Sequence, residues 1–254
     1  MTGTTKSLLL MVTIYLNKID KEDSMKLYIV RHGQTLFNYL ERVQGWSDSP
    51  LTDLGIRQGN IVADHLSSVS FDRVYSSDLN RAIDTANFII EKQEDSSLVL
   101  EQTPLLREAY YGSFEGGSEE GPWGPVFDTF GYDRSLILTD FNQVYREVLA
   151  THSNEAIRNI IAENDPMQLA ENYADYSGRI KRFIDEITED NESENILVVN
   201  HGGTVQLLIE LLLEDSTGYT ETYNSSTTII EIHPDGNSMV DFNNISYFQE
   251  EDIS

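Results

Sequence analysis

The sequence predicts an α/β fold, a three-layer sandwich in which helices cover both faces of a mainly parallel sheet. Short apolar runs that suit strands alternate along the chain with longer segments whose apolar residues recur at helical spacing. The run over 195–200 is almost continuously apolar, as expected for a strand buried on both faces. Neither an internal repeat nor a linker divides the 254 residues, so we expect one domain over 25–254.

The individual elements follow this alternation in order. We expect strands over 26–30, 72–76, 99–107 and 195–200, and a terminal hairpin of 227–233 and 238–242 around Asp235-Gly236-Asn237. Helices are expected near Thr35, over 52–66 with Thr52 as the N-cap, over 78–91 with Ser77 or Asp78 as the N-cap, over 172–189 and over 204–213.

Two segments stand apart from this pattern. Residues 1–24 are expected to be an N-terminal extension, because Met25 directly precedes the first convincing strand. Glycine and proline interrupt 112–125, and from there to about 166 we expect loops with one or two short helices. We interpret 117–170 as a segment inserted over one face of the sheet, where it would form a lid.

The composition excludes several classes of function. The net charge is −26, from 17 basic and 43 acidic residues, and such a chain repels nucleic acid and anionic membranes at long range. An anionic substrate would therefore need a local cluster of basic groups. No cysteine is present, which excludes disulfides, thiolate metal sites and a cysteine nucleophile. The apolar run over 7–16 is too short for a transmembrane helix, which needs roughly 20 residues, so we expect a cytoplasmic protein.

Basic and histidine side chains follow the apolar runs, at the edge of the sheet where ligands bind in α/β folds. Because this edge collects the carboxyl ends of parallel strands, we expect these side chains to lie close together. In chain order they are Arg31-His32-Gly33, Ser76-Ser77 with Arg81, Arg107-Glu108, and His201-Gly202-Gly203.

These residue types suit the transfer of a phosphoryl group. A neutral imidazole can attack phosphorus and form a covalent intermediate. Arginine offers a planar fork that matches phosphate, and Arg81 also lies in the first turn of its expected helix, where the helix dipole favours an anion. A carboxyl group can protonate the departing oxygen and later accept a proton from water, and Glu108 is placed for that role.

Five stretches of the chain carry a resemblance to a known family. They are R-H-G-Q-T at 31–35 with Asn38, Q-G-W-S-D-S-P-L-T at 44–52, S-S-D-L-N-R-A at 76–82 with T-A at 85–86, L-R-E at 106–108 with F-E-G at 114–116, and the segment 195–204 around the second histidine. In order and spacing, residues 26–116 and 171–232 resemble the histidine phosphatase superfamily. The resemblance implies a phosphoglycerate mutase-like fold.

The resemblance also assigns roles to individual residues. His32 would be the phosphorylated nucleophile and Glu108 the proton donor, whereas Glu115 is expected to be structural. The phosphate pocket would consist of Arg31, Arg81 and His201, and the substrate side of Thr35, Asn38, Gln44, Gly45 and Gly202. No metal or other cofactor is expected, and the expected partner is a small phosphorylated metabolite.

Three functions fit these residues. A phosphatase would hydrolyse the phosphohistidine, whereas a cofactor-dependent phosphoglycerate mutase would return the phosphoryl group to a sugar acid. At the motif of the proton donor, such mutases resemble E-R-H-Y-G, whereas this chain has Ala109 in place of the arginine. Residues 115–133 also contain no lysine or arginine that could bind a doubly anionic substrate. Both observations favour hydrolysis. A non-catalytic phosphate-binding or interaction module is the third alternative, although every residue with an assigned chemical step is present.

Overall fold

A single sheet forms the centre of the protein in a computed structural model that describes residues 24–189, 193–220 and 222–253. Its strands are β1 (Met25–Arg31), β2 (Arg73–Ser77), β3 (Leu100–Thr103), β4 (Asn195–Asn200), β5 (Thr227–Ile232) and β6 (Ser238–Asn244). They lie in the order β3-β2-β4-β1-β5-β6, with β1 to β4 mutually parallel and β5 antiparallel to both of its neighbours. The predicted mainly parallel sheet is confirmed, while the predicted extension 1–24 lies, except for Ser24, outside the described residues.

Helices connect these strands and cover the sheet. They are α1 (Leu36–Tyr39), α2 (Asp53–Leu66), α3 (Asn80–Ile90), α4 (Glu120–Phe130), α5 (Leu136–Thr139), α6 (Phe141–Thr151), α7 (Asn154–Asn164), α8 (Tyr173–Thr188) and α9 (Gly202–Leu212), with short 3-10 turns at Pro104–Leu106, Gly112–Phe114 and Glu250–Asp252. Within the described ranges, no helix has both the length and the apolar character needed to cross a bilayer.

The sheet separates two apolar cores, one beneath each layer of helices. On one face, α2 and α3 cover Val30, Val74 and Leu197. On the opposite face, α8 and α9 cover Ile29 and Val198. Because successive side chains of a strand point to opposite faces, the unbroken apolar runs of β1 and β4 supply both cores at once. This arrangement confirms the predicted three-layer sandwich.

The segment 117–170 differs from the prediction of loops with one or two short helices. Four helices, α4 to α7, occupy it, and their buried faces form a third apolar core around Trp123, Phe127 and Val148. Pro122 lies in the first turn of α4, where its missing N–H group would have no helical partner. The prediction was wrong because it gave the local glycine and proline residues more weight than the apolar residues at helical spacing.

Two helices begin differently from the prediction. Leu79, not Ser77 or Asp78, is the N-cap of α3, because the Asp78 carboxylate instead binds Arg107 at 2.6 Å. α9 begins at Gly202 rather than Thr204, directly after the second histidine. As a result, the first backbone N–H groups of α9 lie at the edge of the sheet where the polar side chains collect.

Candidate active site

His32 lies just beyond β1, where hydrogen bonds fix both its backbone and its ring. Its N–H group donates to the carbonyl of Asn200 at 2.9 Å, and its own carbonyl accepts from the side-chain amide of Asn224 at 2.9 Å. Its ring Nδ1 is 2.8 Å from the carbonyl oxygen of Gly33. Because a carbonyl oxygen can only accept, Nδ1 carries the ring proton and Nε2 keeps a lone pair.

A close approach of backbone segments shapes the loop that follows His32. A β-carbon on Gly33 would lie 2.5 Å from the carbonyl oxygen of Gly55, and one on Gly55 would lie 2.0 Å from that of Gln34. The N–H group of Gly33 donates to the Thr85 hydroxyl of α3 at 3.0 Å. The loop is therefore pressed against α2 and α3, and only glycine fits at these two positions.

The surroundings of His32 keep its ring neutral. Burial lowers the pKa of His32 well below its ordinary value of 6.5, and the positive charges of Arg81 and Arg31 lower this pKa further. An imidazole with so low a pKa is unprotonated at neutral pH. Its Nε2 lone pair is therefore available as a nucleophile.

His201 offers the complementary group, a hydrogen-bond donor. The Nε atom of Arg81 donates to Nδ1 of His201 at 3.1 Å, so the ring proton of His201 lies on Nε2. Burial, followed by the charge of Arg81, lowers the pKa of His201 well below 6.5, so this ring is also neutral. Its buried Nε2 has no hydrogen-bond partner among the described residues. The centroids of the His201 and His32 rings are 5.2 Å apart, so the two histidines are neighbours at this edge of the sheet.

Arg81 is the buried anchor of this region. Besides His201, its guanidinium binds the carbonyl of Gly45 through Nη2 at 2.7 Å, and the carbonyl of Ser47 and the carboxylate of Asp48 through Nη1, both at 3.0 Å. A guanidinium has five N–H groups, and these bonds use four of them. Arg81 therefore holds the 45–48 loop and orients His201, and it adds positive charge behind the two rings.

Glu108 is a buried carboxylate held at the N-terminus of α9. Its Oε2 accepts from the backbone N–H of Gly203 at 2.8 Å. Its Oε1 accepts from the N–H of Ala109 and from the Tyr176 hydroxyl, both at 2.8 Å. With two donors on Oε1 and one on Oε2, Oε2 is the oxygen that retains capacity to carry a proton.

A cavity of about 220 Å³ joins the nucleophile to this carboxylate. Arg31, His32 and Glu108 all line it, and Arg31 also donates through Nη1 to the carbonyl of Thr222. Arg81 and His201, each 1% exposed, lie in the wall behind this surface. The structure thus brings together the five residues that the sequence placed at one edge of the sheet.

The substrate-side residues predicted from the sequence fall into two groups. Asn38, Gln44 and Gly202 line the cavity. Thr35 and Gly45 lie behind its wall, where the Thr35 hydroxyl binds Oε1 of Gln44 at 2.7 Å and the Gly45 carbonyl accepts from Arg81. Thr35 thus orients Gln44, which lines the cavity, and Gly45 orients Arg81 in the wall behind it.

A second, wider space continues from this cavity toward α5 and α6. Its volume is about 670 Å³, and it shares Arg31, Asn38 and Glu119 with the first cavity. Burial raises the pKa of Glu119 to about 7, so this carboxyl group is partly protonated and partly ionised near neutral pH. Arg42 and Arg146 also line the wider space and give it basic as well as acidic groups.

Several positioning residues were missed in the sequence. Arg179 of α8 donates to the carbonyls of Leu105 and Glu108, both at 2.7 Å, and pairs with Glu171 at 2.8 Å. These contacts hold the backbone that carries the Glu108 side chain. Glu171 could have been found from the sequence, because it directly precedes the N-cap of α8. Arg179 and Tyr176 could not, because they lie on the buried face of that helix, where the sequence pattern indicates ordinary core positions.

Comparison with known proteins identifies the family and the fold. A model of the histidine phosphatase superfamily (branch 1) matches residues 27–122 and 140–245. The crystal structure of a phosphoglycerate mutase from Bacillus anthracis strain Sterne is similar with a TM-score of 0.74 and 34% identity, covering 88% of this chain and 95% of that one. The alpha-ribazole phosphatase from Shigella flexneri is similar with a TM-score of 0.64 and 26% identity, covering 87% of this chain and 96% of that one.

A curated relative gives a shorter match. The "Probable phosphoglycerate mutase GpmB" of Yersinia pestis (strain Pestoides F) is 42% identical over 91 residues, which are 36% of this chain and 41% of that protein. The match therefore spans about two-fifths of the length of this relative. Because the family model covers most of the chain, the protein belongs to the histidine phosphatase superfamily, and its fold is phosphoglycerate mutase-like.

Proposed function

We propose that the protein is a metal-independent phosphatase that hydrolyses small phosphomonoesters through a phosphohistidine on His32. One observation carries this proposal: two neutral rings, 5.2 Å apart, have opposite tautomers. Nε2 of His32 has a lone pair for attack on phosphorus, and Nε2 of His201 has a proton for a phosphoryl oxygen. This pair suits an anionic substrate that is attacked and stabilised at the same time.

The first half of the reaction would transfer the phosphoryl group to His32. Nε2 forms a bond to phosphorus while the bond from phosphorus to the ester oxygen breaks. Glu108, protonated on Oε2, gives its proton to that oxygen, and the alcohol leaves. The charges of Arg31 and Arg81 and the N–H donor of His201 would stabilise the negative charge of the transition state, the task that a metal ion has in other phosphoryl transferases.

The second half would release phosphate. A water molecule in the cavity attacks phosphorus, and Glu108, now a carboxylate, accepts its proton. The bond between phosphorus and Nε2 of His32 breaks, the ring recovers its lone pair, and Glu108 ends the cycle protonated. Glu108 lines the same cavity as His32, and this would give it access to both the leaving alcohol and the incoming water.

A phosphoglycerate mutase is the second candidate, because two of the similar proteins carry that name. Residues 115–133 contain no lysine or arginine, and the next arginine, Arg134, binds Asp128 on the surface. The similar alpha-ribazole phosphatase supports hydrolysis instead. The cytoplasmic location and a small phosphorylated metabolite as substrate remain predictions.

Rapid-quench labelling tests the proposed intermediate. After mixing with a radioactive phosphomonoester, we expect acid-labile, alkali-stable label on His32, and no label in His32→Ala. An unlabelled wild-type enzyme, or full activity in His32→Ala, would contradict the proposal. Activity should persist in a chelator, since no step uses a metal.

A second assay separates the two candidate reactions. Isomerisation of 3-phosphoglycerate is measured with and without 2,3-bisphosphoglycerate, beside hydrolysis of sugar phosphates and nucleotides. We expect hydrolysis to dominate. Efficient isomerisation that depends on the bisphosphate would favour the mutase.

A further inference from the structure

Arg158 is a buried cation that the mechanism above does not use. It belongs to α7 of the 117–170 segment, is 7% exposed, and lines neither of the two joined cavities around His32. Among the described residues, its side-chain hydrogen bond goes to the Tyr111 hydroxyl at 2.8 Å. Burying a guanidinium is costly unless nearby groups stabilise the charge, so its surroundings indicate what it does.

The guanidinium of Arg158 lies over two aromatic rings. Its guanidinium carbon lies 4.8 Å from the centre of the Tyr111 ring and 5.9 Å from that of the Tyr176 ring. Both distances are within the range of a cation–π interaction. Arg179 contacts the Tyr176 ring as well, at 4.6 Å. Tyr176 is therefore held by two guanidinium groups, one from α7 and one from its own helix.

Tyr176 connects this cation to the catalytic carboxyl group. Its hydroxyl donates to Oε1 of Glu108 at 2.8 Å and is 2.9 Å from the Thr204 hydroxyl. Burial, and then the charge of Glu108, raises the pKa of Tyr176 well above 10.0, so the phenol keeps its proton and acts as a donor. The Arg158 guanidinium lies over the ring of this donor, so Tyr176 contacts both Arg158 and Glu108.

We propose that Arg158 is a positioning residue for the general acid, through which the inserted segment sets the catalytic competence of Glu108. Together with Tyr176 it fixes the carboxyl group so that Oε1 is occupied by donors and Oε2 can carry the proton, and it supplies positive charge near Glu108 after the proton has left. This inference rests on the proposed function, in which Glu108 protonates the leaving oxygen. It goes further by assigning a role in that step to a residue of the 117–170 segment.

Substrates with different leaving groups distinguish this role from a merely structural one. 4-Nitrophenyl phosphate releases a weakly basic phenolate that needs no proton, whereas glycerol 1-phosphate releases an alkoxide that does. The ratio of their kcat/KM values reports on the general acid, because kcat/KM includes only the steps up to release of the alcohol. Later hydrolysis of the phosphoenzyme, which would also use Glu108, does not affect this ratio.

The experiment compares Arg158→Met, Arg158→Lys and Tyr176→Phe with the wild type. We expect Arg158→Met and Tyr176→Phe to lower kcat/KM for glycerol 1-phosphate roughly tenfold or more, but that for 4-nitrophenyl phosphate less than about threefold. Arg158→Lys, which keeps the charge, should recover much of the ratio. Arg134→Met is the matched control, since Arg134 lies in the same inserted segment but binds Asp128 on the surface.

Each outcome decides the inference. An equal loss on both substrates, or no loss on either, would overturn it, and so would a full effect in Arg158→Lys with normal activity in Tyr176→Phe. If Arg158→Met fails to fold by circular dichroism, the two conservative variants carry the test. Failure of the proposed function would be recognised by a different result, the absence of label on His32 of the wild-type enzyme.

Discussion

The Nε atom of Arg81 donates to Nδ1 of His201 across 3.1 Å, and this contact determines which nitrogen of the second histidine carries the ring proton. The same guanidinium binds the carbonyls of Gly45 and Ser47. One buried side chain therefore orients a ring from the end of β4 and also holds the loop that follows α1. The geometry of this site depends on the shape of this guanidinium as well as on its charge.

Arg81→Lys tests this dependence on shape. Lysine keeps the positive charge, but one ammonium group cannot bind His201, Gly45 and Ser47 in the same geometry. We expect kcat/KM to fall roughly a hundredfold, as when one donor is removed from an oxyanion site, with the fold retained. NMR of the imidazole nitrogens should show that His201 no longer has a single tautomer. The control is Arg73→Lys, whose arginine binds Glu101 on the surface, and comparable activity in both variants would refute the argument.

Gly203→Ala tests the placement of the carboxyl group. A β-carbon on Gly203 would lie 2.6 Å from Oε1 of Glu108, so the carboxylate must move. Because it is the end of a flexible side chain, we expect the fold to persist while kcat/KM for an alkyl phosphate falls roughly tenfold or more. Gly178→Ala in α8 has open space at the same position and should retain activity. Equal activity of the two variants would mean that the position of Glu108 is not limiting.

The sheet and its two helical layers could be predicted because the relevant signals are local. The apolar runs of β1 and β4 and the N-cap at Thr52 need no knowledge of distant residues, and the structure contains each of them. The start of α3 could not be predicted in this way. Asp78 is a good N-cap by type, but a long-range ion pair with Arg107 uses its carboxylate.

The location of the candidate site was predictable for a related reason. Parallel strands bring their carboxyl ends to one edge, so His32, Arg81, Glu108 and His201 could be expected there from topology alone. The direction of each guanidinium could not. The sequence favoured a phosphate-facing Arg81, whereas four of its N–H groups bind protein atoms, and such contacts depend on loops that are distant along the chain.

Glu115→Gln tests a structural role that the sequence predicted. Its carboxylate accepts from the backbone N–H groups of Gly45, Trp46, Ser47 and Tyr111 at 2.9–3.0 Å. A glutamine would direct an NH₂ group toward some of these donors, so we expect the free energy of unfolding to fall by about 3 kcal/mol. Urea titration measures this change. Glu120→Gln, at the exposed first residue of α4, is the control, and equal stability of the two variants would exclude the role.

The two buried imidazoles predict how stability depends on pH. His32 and His201 have pKa values well below 6.5 in the folded state, so below pH 6.5 the unfolded chain binds their protons and the folded protein does not. Each ring therefore lowers the free energy of unfolding by roughly 1 kcal/mol between pH 6.5 and 5.5, where the unfolded imidazole is still partly deprotonated, and by about 1.4 kcal/mol per pH unit at lower pH. Glu119 acts in the opposite direction, because a pKa of about 7 lets the folded protein bind a proton that the unfolded chain releases. Between pH 6.5 and 5.5 the unfolded chain therefore binds, on average, roughly 0.6 more protons than the folded protein at these three groups.

We therefore expect the free energy of unfolding to fall by roughly 1 kcal/mol between pH 6.5 and 5.5, measured by urea titration at constant ionic strength. This window lies above the range in which ordinary carboxylates of the unfolded chain take up protons, so the signal comes from the buried groups. His32→Asn should remove the contribution of one imidazole, so that the free energy of unfolding changes little with pH in this window. Glu119→Gln should remove the opposing contribution, so that the free energy of unfolding falls roughly twice as steeply. If His32→Asn keeps the wild-type slope, the pKa of His32 is not lowered in the folded protein, and if Glu119→Gln keeps it, the pKa of Glu119 is not raised.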